Sequence, residues 1–196
     1  MVVRIASYNT ALSRPNQGDL LTALKSGTDK QVLATVALLQ HIRPDIILLN
    51  EVDFDGSGEL VNLLQQALAT SETGAGLVLP FTFCQPVNTG MPSGRDFDKD
   101  GVASDKGADA LGFGQFPGQY GMVMLSRFAI DVAASRTFQS FLWQVMPTPC
   151  LPTDTQGKPW FDSADLAVLP LSSKSHWDVA VDIEGDRKST RLNSSH

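Results

Sequence analysis

Cysteine is nearly absent. Cys84 and Cys150 are the two thiols in 196 residues, too few for a disulfide-built scaffold, and two thiols alone do not establish a bridge even in an oxidising compartment. Long apolar runs are missing as well. Purely apolar stretches such as IILL at 46–49 and MVML at 122–125 fall far short of a bilayer span. Basic residues are in the minority, with 15 Lys and Arg against 21 Asp and Glu for a net charge of −6. That balance argues against a broad positive footprint for nucleic acid. It leaves room for an enzyme that meets phosphate through a bound metal ion, because the ion supplies the positive charge. What is present is apolar content: 42% of residues are hydrophobic and 18% charged, enough for a core and too apolar for disorder. The length suits one globular domain.

Both ends bear on how far this arithmetic reaches. The C-terminal stretch DRKSTRLNSSH, residues 186–196, is identified as the conceptual translation of a sequencing-library adapter and is set apart from fold reasoning. The expected division is a partial domain over 1–185 and a non-native tail over 186–196. Setting aside Asp186, Arg187, Lys188 and Arg191 makes the remainder more acidic still. At the other end, Met1-Val2-Val3-Arg4 leads straight into structure with nothing resembling a signal peptide. Localisation stays open, an exported one included if the N-terminus is incomplete.

The pattern along the chain alternates strands and helices. VVRIASYNT reads as a strand with Val3, Ile5, Ser7 and Asn9 on one face. A polar loop is expected from Ala11 to Thr28. Thr28 sits three residues before Gln31, a capping-box spacing, and Val32, Val36 and Leu39 recur with helical period, so 29–42 reads as an amphipathic helix. Arg43-Pro44 ends it. DIILLNEVD suits a strand buried on both faces, and 57–69 reads as a helix with Leu60, Val61, Leu64 and Leu68 inward. Strand, helix, strand, helix at this spacing favours an α/β arrangement with parallel pairing near the start. Residues 86–117 form a long Gly- and Asp-rich loop, a feature that is usually functional or mobile. QYGMVMLS and AIDVAASRTF follow as strands, then a Pro-rich connection over 146–163 and a last strand from His176 to Ile183.

Asn9 and Glu51 end the first two strands, and groups just past the carboxyl ends of strands in α/β sheets commonly face a ligand crevice. By the period of two, Glu51 is expected to continue the face of Ile47 and Leu49. A carboxylate there is costly to bury unless it is paired or bound to a cation, and a hard ion such as Mg²⁺ satisfies it. Each position alone also fits a plainer role, Asn9 as a turn residue and Glu51 as a side chain emerging into water. A second constellation is Asp96-x-Asp98-x-Asp100-Gly101. Alternate carboxylates followed by Gly match the first half of an EF-hand loop, with Asp96, Asp98 and Asp100 as ligands of a structural Ca²⁺. The twelfth position is Gly107 rather than Glu, so Asp105 or Asp109 has to substitute; a solvated acidic turn is the plainer reading. Arg127, directly after a strand, suits an ion pair at the sheet edge, and His41 suits the negative end of its helix.

Taken together, RIASYN, RPDIILLNEVD and GQYGMVMLSR resemble the endonuclease/exonuclease/phosphatase superfamily. The segment from PVNTGMPSGRDFDKDG through GFGQFPGQYGMVMLSR to KSHWDV resembles a bacterial branch of it. The resemblance implies an α/β two-sheet sandwich flanked by helices, a deoxyribonuclease-like fold of which this chain holds the N-terminal part. It implies Mg²⁺- or Mn²⁺-dependent hydrolysis of a phosphate ester, the substrate being a nucleic acid, an inositol phosphate or a lipid head group. In that family Glu51 matches the metal ligand and Asn9 the residue that positions the phosphate. His176, in SKSHWDV with Lys174 and Asp178 nearby, matches a place where a basic residue entering a strand meets substrate phosphate; a His packed beside Trp177 is the plainer reading. The family's catalytic His, its Asp-x-Asn pair and its terminal Asp-His pair have no counterpart before residue 185, and Ala11 stands where some members carry an Asp. The isolated chain is therefore expected to be unstable and inactive, with apolar sheet surface uncovered. The competing reading is a non-catalytic calcium-binding or interaction module on the same fold. The sequence carries no sign of oligomeric state.

Overall fold

The computed structural model describes residues 1–70 and 75–183; the adapter-like tail 186–196 lies outside the described residues. The elements run β1 (Ile5–Asn9), α1 (Asp19–Ser26), α2 (Lys30–Ile42), β2 (Ile46–Asn50), α3 (Glu59–Ala69), β3 (Phe81–Phe83), β4 (Met122–Ser126), β5 (Ala129–Thr137), α4 (Ser163–Leu166) and β6 (Trp177–Asp182). A four-stranded sheet has the order β1-β2-β4-β3 and a second sheet pairs β5 with β6. β1 and β2 are parallel, as the helical crossover between them requires, and the remaining pairs are antiparallel.

The period of two explains how the layers stack. Ile47 and Leu49 of β2, with Val123 and Leu125 of β4, pack against Leu24, Leu39, Leu60, Leu64 and Leu68 of the helices. Their neighbours Ile46, Leu48, Met122 and Met124 face the other way, onto Trp177, Val179 and Val181 of β6. A strand apolar at every position is the consequence, and β2 and β4 are buried at all five residues. Helices, first sheet and second sheet thus form successive layers of the expected α/β sandwich.

The helices refine the sequence reading. α3 buries Leu60, Val61, Leu64 and Leu68 as its period requires. The cap of α2 is Asp29, not Thr28: the Asp29 carboxylate accepts from the backbone N–H of Gln31 and Val32 at 3.1 and 2.9 Å, while the Thr28 hydroxyl donates to Ser26. A charged acceptor is the better partner for the positive end of a helix. The stretch expected to be a polar loop up to Thr28 contains α1, which buries Leu20 and Leu24. Glycines in left-handed geometry bracket it, Gly18 and Gly27. Arg127 pairs with Asp45 at 3.0 Å, and both cysteines are free.

The 86–117 loop is tied to the rest of the molecule at several points. Asn88, 3% exposed, donates from its side chain to the carbonyls of Gln139 and Ser172 at 2.8 and 2.9 Å. Arg95 and Lys99 reach the fully buried Asp165 at the start of α4, each at 2.7 Å. Burial alone raises that carboxyl, but hydrogen bonds from Lys99 and Arg95 outweigh it and bring the pKa down to about 2. Among the described residues no helix is long and apolar enough to cross a membrane.

Candidate functional site

The parallel pairing of β1 with β2 sets Asn9 opposite Asn50, so both strands end at one edge. Thr10 binds the two ends together: its N–H and hydroxyl donate to the Asn50 carbonyl at 3.0 and 2.9 Å. Immediately beyond, Ala11 and Glu51 both adopt positive φ, 49° and 59°, a conformation that residues with a Cβ avoid unless their surroundings impose it. The left-handed turn at Glu51 has a direct effect on its side chain. The pleat ends at Asn50, and Glu51 does not continue the helix-facing row of Ile47 and Leu49. It turns to Asn9, on the face of β1 opposite Ala6 and Tyr8, which pack on the helices. Asn9 Nδ2 donates to Glu51 Oε1 at 2.8 Å, and Asn9 Oδ1 accepts from the Ala11 N–H at 3.0 Å. The asparagine amide is thereby fixed at both ends. Glu51 is half-buried and Asn9 exposed, so the pair is open to solvent.

Behind it lies a polar support. Asp53 is 7% exposed and accepts from the N–H of Arg14 at 3.0 Å and of Tyr120 at 3.2 Å. Burial pushes its carboxyl up from the ordinary range, against these bonds. The 118–121 turn lies flat on the 52–54 backbone. The Phe54 N–H donates to the Gly118 carbonyl at 2.8 Å, and a Cβ on Gly118 would meet the Phe54 carbonyl oxygen at 2.6 Å. Only glycine allows that approach.

The basic group beside this corner is Lys174. Its ammonium donates to the Tyr120 carbonyl at 2.8 Å. Burial lowers its pKa, and the nearby charge of Glu51 opposes that shift. His176, two residues on, is half-buried; its carbonyl accepts from the Phe138 N–H at 2.9 Å, and no side-chain hydrogen bond joins it to Asn9 or Glu51 among the described residues. Asp178 is paired with Arg136.

The acidic loop divides. Asp96, Asp98 and Asp109 bring carboxylate oxygens within 4.8 Å of one another, the arrangement among the described residues able to offer three acidic ligands to a cation. Asp100 is not in the group: its carboxylate accepts from the Val102 N–H at 2.8 Å. Asp109, 2% exposed, is the better-held member. It accepts from the N–H of Phe97 and Ser104 and from the Ser104 hydroxyl at 2.7, 2.9 and 2.9 Å. Hydrogen bonding led by Ser104 keeps its carboxyl below the usual range. No hydrogen bond or ion pair links this cluster to Glu51 among the described residues.

The sequence points to Asn9 and Glu51, which the structure brings into hydrogen-bond contact, but not to the residues behind them. Asp53 carried a signal, a carboxylate two residues beyond Glu51 in NEVD. Lys174 carried one too, a basic residue beside the candidate His176. Tyr120 carried none, because its role belongs to the backbone.

The Endonuclease/Exonuclease/phosphatase family model matches residues 6–191. No curated protein matches significantly. Among solved structures, an endonuclease/exonuclease/phosphatase from Beutenbergia cavernae DSM 12333 is similar at 19% identity and a TM-score of 0.39, over 93% of this chain and 34% of that one. The chain thus spans about a third of that protein's length.

Proposed function

Because the chain belongs to the endonuclease/exonuclease/phosphatase family, we propose that it forms part of a metal-dependent phosphoesterase whose reacting corner is the Asn9–Glu51 pair. The observation that carries the reading is the 2.8 Å hydrogen bond between them at the common end of two parallel strands. Glu51 accepts this one hydrogen bond and leaves its second oxygen without a donor among the described residues. One half-buried carboxylate open to solvent fits Mg²⁺ or Mn²⁺, ions that take one or two protein carboxylates and fill their remaining positions with water and phosphate oxygens. Such an ion, when bound, neutralises charge on the phosphoryl oxygens and steadies the leaving oxygen.

The chain's own groups have three tasks. Glu51 holds the cation. Asn9 keeps the Glu51 carboxylate in one orientation and lends its amide to placing the phosphate. Lys174 sets a fixed ammonium at the same corner, where phosphate brings negative charge, and is assigned that contact ahead of His176, which stays a candidate for the same substrate. The substrate class is a phosphate ester, with nucleic acid, inositol phosphate and lipid head group sharing this chemistry. Glu51→Gln in the full-length protein is expected to lower Mg²⁺-dependent phosphodiester hydrolysis by about a hundredfold or more, as removal of a key charged group at a reacting centre does. Unchanged hydrolysis would refute the assignment.

A second reading has its own observation. The Asp96, Asp98 and Asp109 cluster suits Ca²⁺, which accepts carboxylate-rich irregular loops. There it would order the 86–117 loop. A calcium-binding module without catalysis predicts that Glu51→Gln leaves calcium affinity untouched and that no phosphoester is hydrolysed.

A further inference from the structure

The Tyr120 peptide is held from both sides, and the hold connects a buried carboxylate to the ammonium beside Glu51. Its N–H donates to Asp53 Oδ1 at 3.2 Å and to Ser13 Oγ at 3.1 Å. Its carbonyl accepts from Lys174 Nζ at 2.8 Å. Tyr120 adopts a φ of 55°, a backbone state that a residue with a Cβ keeps only where its neighbours fix it. Asp53 is placed to do so. Its Oδ2 accepts from the Arg14 N–H at 3.0 Å, so one carboxylate ties together the loop after β1, the turn after β2 and the turn before β4. These three segments frame Asn9 and Glu51. Each Asp53 oxygen accepts from a backbone N–H, and the side chain is 7% exposed, so its work is done within the fold.

We propose that Asp53 is a positioning residue. By fixing the Tyr120 peptide, it fixes the carbonyl that holds the Lys174 ammonium next to Glu51, and through that ammonium it sets the affinity of the site for a phosphate group. A lysine on its four-carbon stem has many rotamers to lose, and a carbonyl already in place removes that loss from the binding step. The inference rests on the reading of Glu51 and Lys174 given above.

A double-mutant cycle in the full-length protein tests it. The probe is inorganic phosphate at saturating Mg²⁺, titrated into wild type, Asp53→Asn, Lys174→Met and the double variant, with the ¹⁵N ammonium signal of Lys174 recorded for the first two. Asp53→Asn is expected to weaken phosphate about tenfold when Lys174 is present, and less than about twofold when it is absent, and to move or broaden the Lys174 signal. Equal losses in both backgrounds overturn the proposal. So does a lowered melting temperature with unchanged phosphate affinity, the result of a purely structural role. If Lys174→Met leaves phosphate binding intact, the site reading itself has failed; the ammonium signal then decides, and a Lys174 resonance unmoved by Asp53→Asn overturns the positioning role independently. Should Asp53→Asn fail to fold, Ser13→Ala removes the other acceptor of the same N–H and is expected to give the same pattern at about threefold.

Discussion

Glu51 and Asp165 are both carboxylates drawn out of full contact with water, and they are held in opposite ways. Asp165 is fully buried, receives Arg95 and Lys99 at 2.7 Å each, and accepts the Asp162 N–H at 3.1 Å. Its capacity is used up within the fold. Glu51 is half-buried, accepts a single hydrogen bond among the described residues, from Asn9, and sits in a left-handed conformation at the end of a buried strand. Asp109 stands between the two: it accepts from Phe97 and Ser104 and still brings a carboxylate oxygen to the cluster with Asp96 and Asp98. A carboxylate saturated by internal donors stabilises the chain. One held in place but left with a free oxygen is available to something outside it.

If that contrast is correct, stability and chemistry should separate by residue. The largest stability loss is expected for Asp165→Ala, about 3 kcal/mol by urea unfolding, because it removes the buried partner of Lys99 and one of the two carboxylates that hold Arg95. The same carboxyl should be visible in acid. Held at about 2 against an ordinary 3.8, it contributes stability that is complete above about pH 4 and is lost as pH falls toward 2. Asp165→Asn should flatten that part of the stability–pH curve. Asp29→Ala, which removes the cap of α2, is expected to cost about 1 kcal/mol. Glu51→Gln should change stability least, by less than about 0.5 kcal/mol, while lowering hydrolysis by about a hundredfold or more. A large destabilisation by Glu51→Gln would place Glu51 with Asp165 and erase the distinction.

Much of this arrangement was legible before the structure. β2, β4 and α3 announce themselves through apolar runs and helical period, and the ends of β1 and β2 deliver Asn9 and Glu51. What was not legible depends on contacts between distant segments. α1 is eight residues long, and its apolar positions stand out only once α3 provides a surface to bury them. Asp100 has the regular spacing of a ligand, but its carboxylate accepts from the Val102 N–H and is not in the three-carboxylate group. Asp109 arrives instead because the chain folds back through bridges joining Pro92 to Ala110 and Gly107 to Gly114. The sequence singles out His176 and gives Lys174 only as its neighbour; what brings Lys174 forward is the Tyr120 carbonyl, more than fifty residues away. Strand alternation stops at Glu51, whose φ of 59° turns the carboxylate to Asn9.

The most direct test of the central claim is Mn²⁺ binding to the full-length protein, followed by the loss of the free-ion electron paramagnetic resonance signal in wild type, Glu51→Gln and Asp98→Asn. Asp98 is an exposed member of the acidic cluster, so its replacement probes that cluster with little effect on the fold. The account predicts that Glu51→Gln weakens the site that supports hydrolysis by about tenfold or more, and that Asp98→Asn leaves it unchanged. Binding that survives Glu51→Gln and disappears with Asp98→Asn would contradict it and place the functional cation in the 86–117 loop.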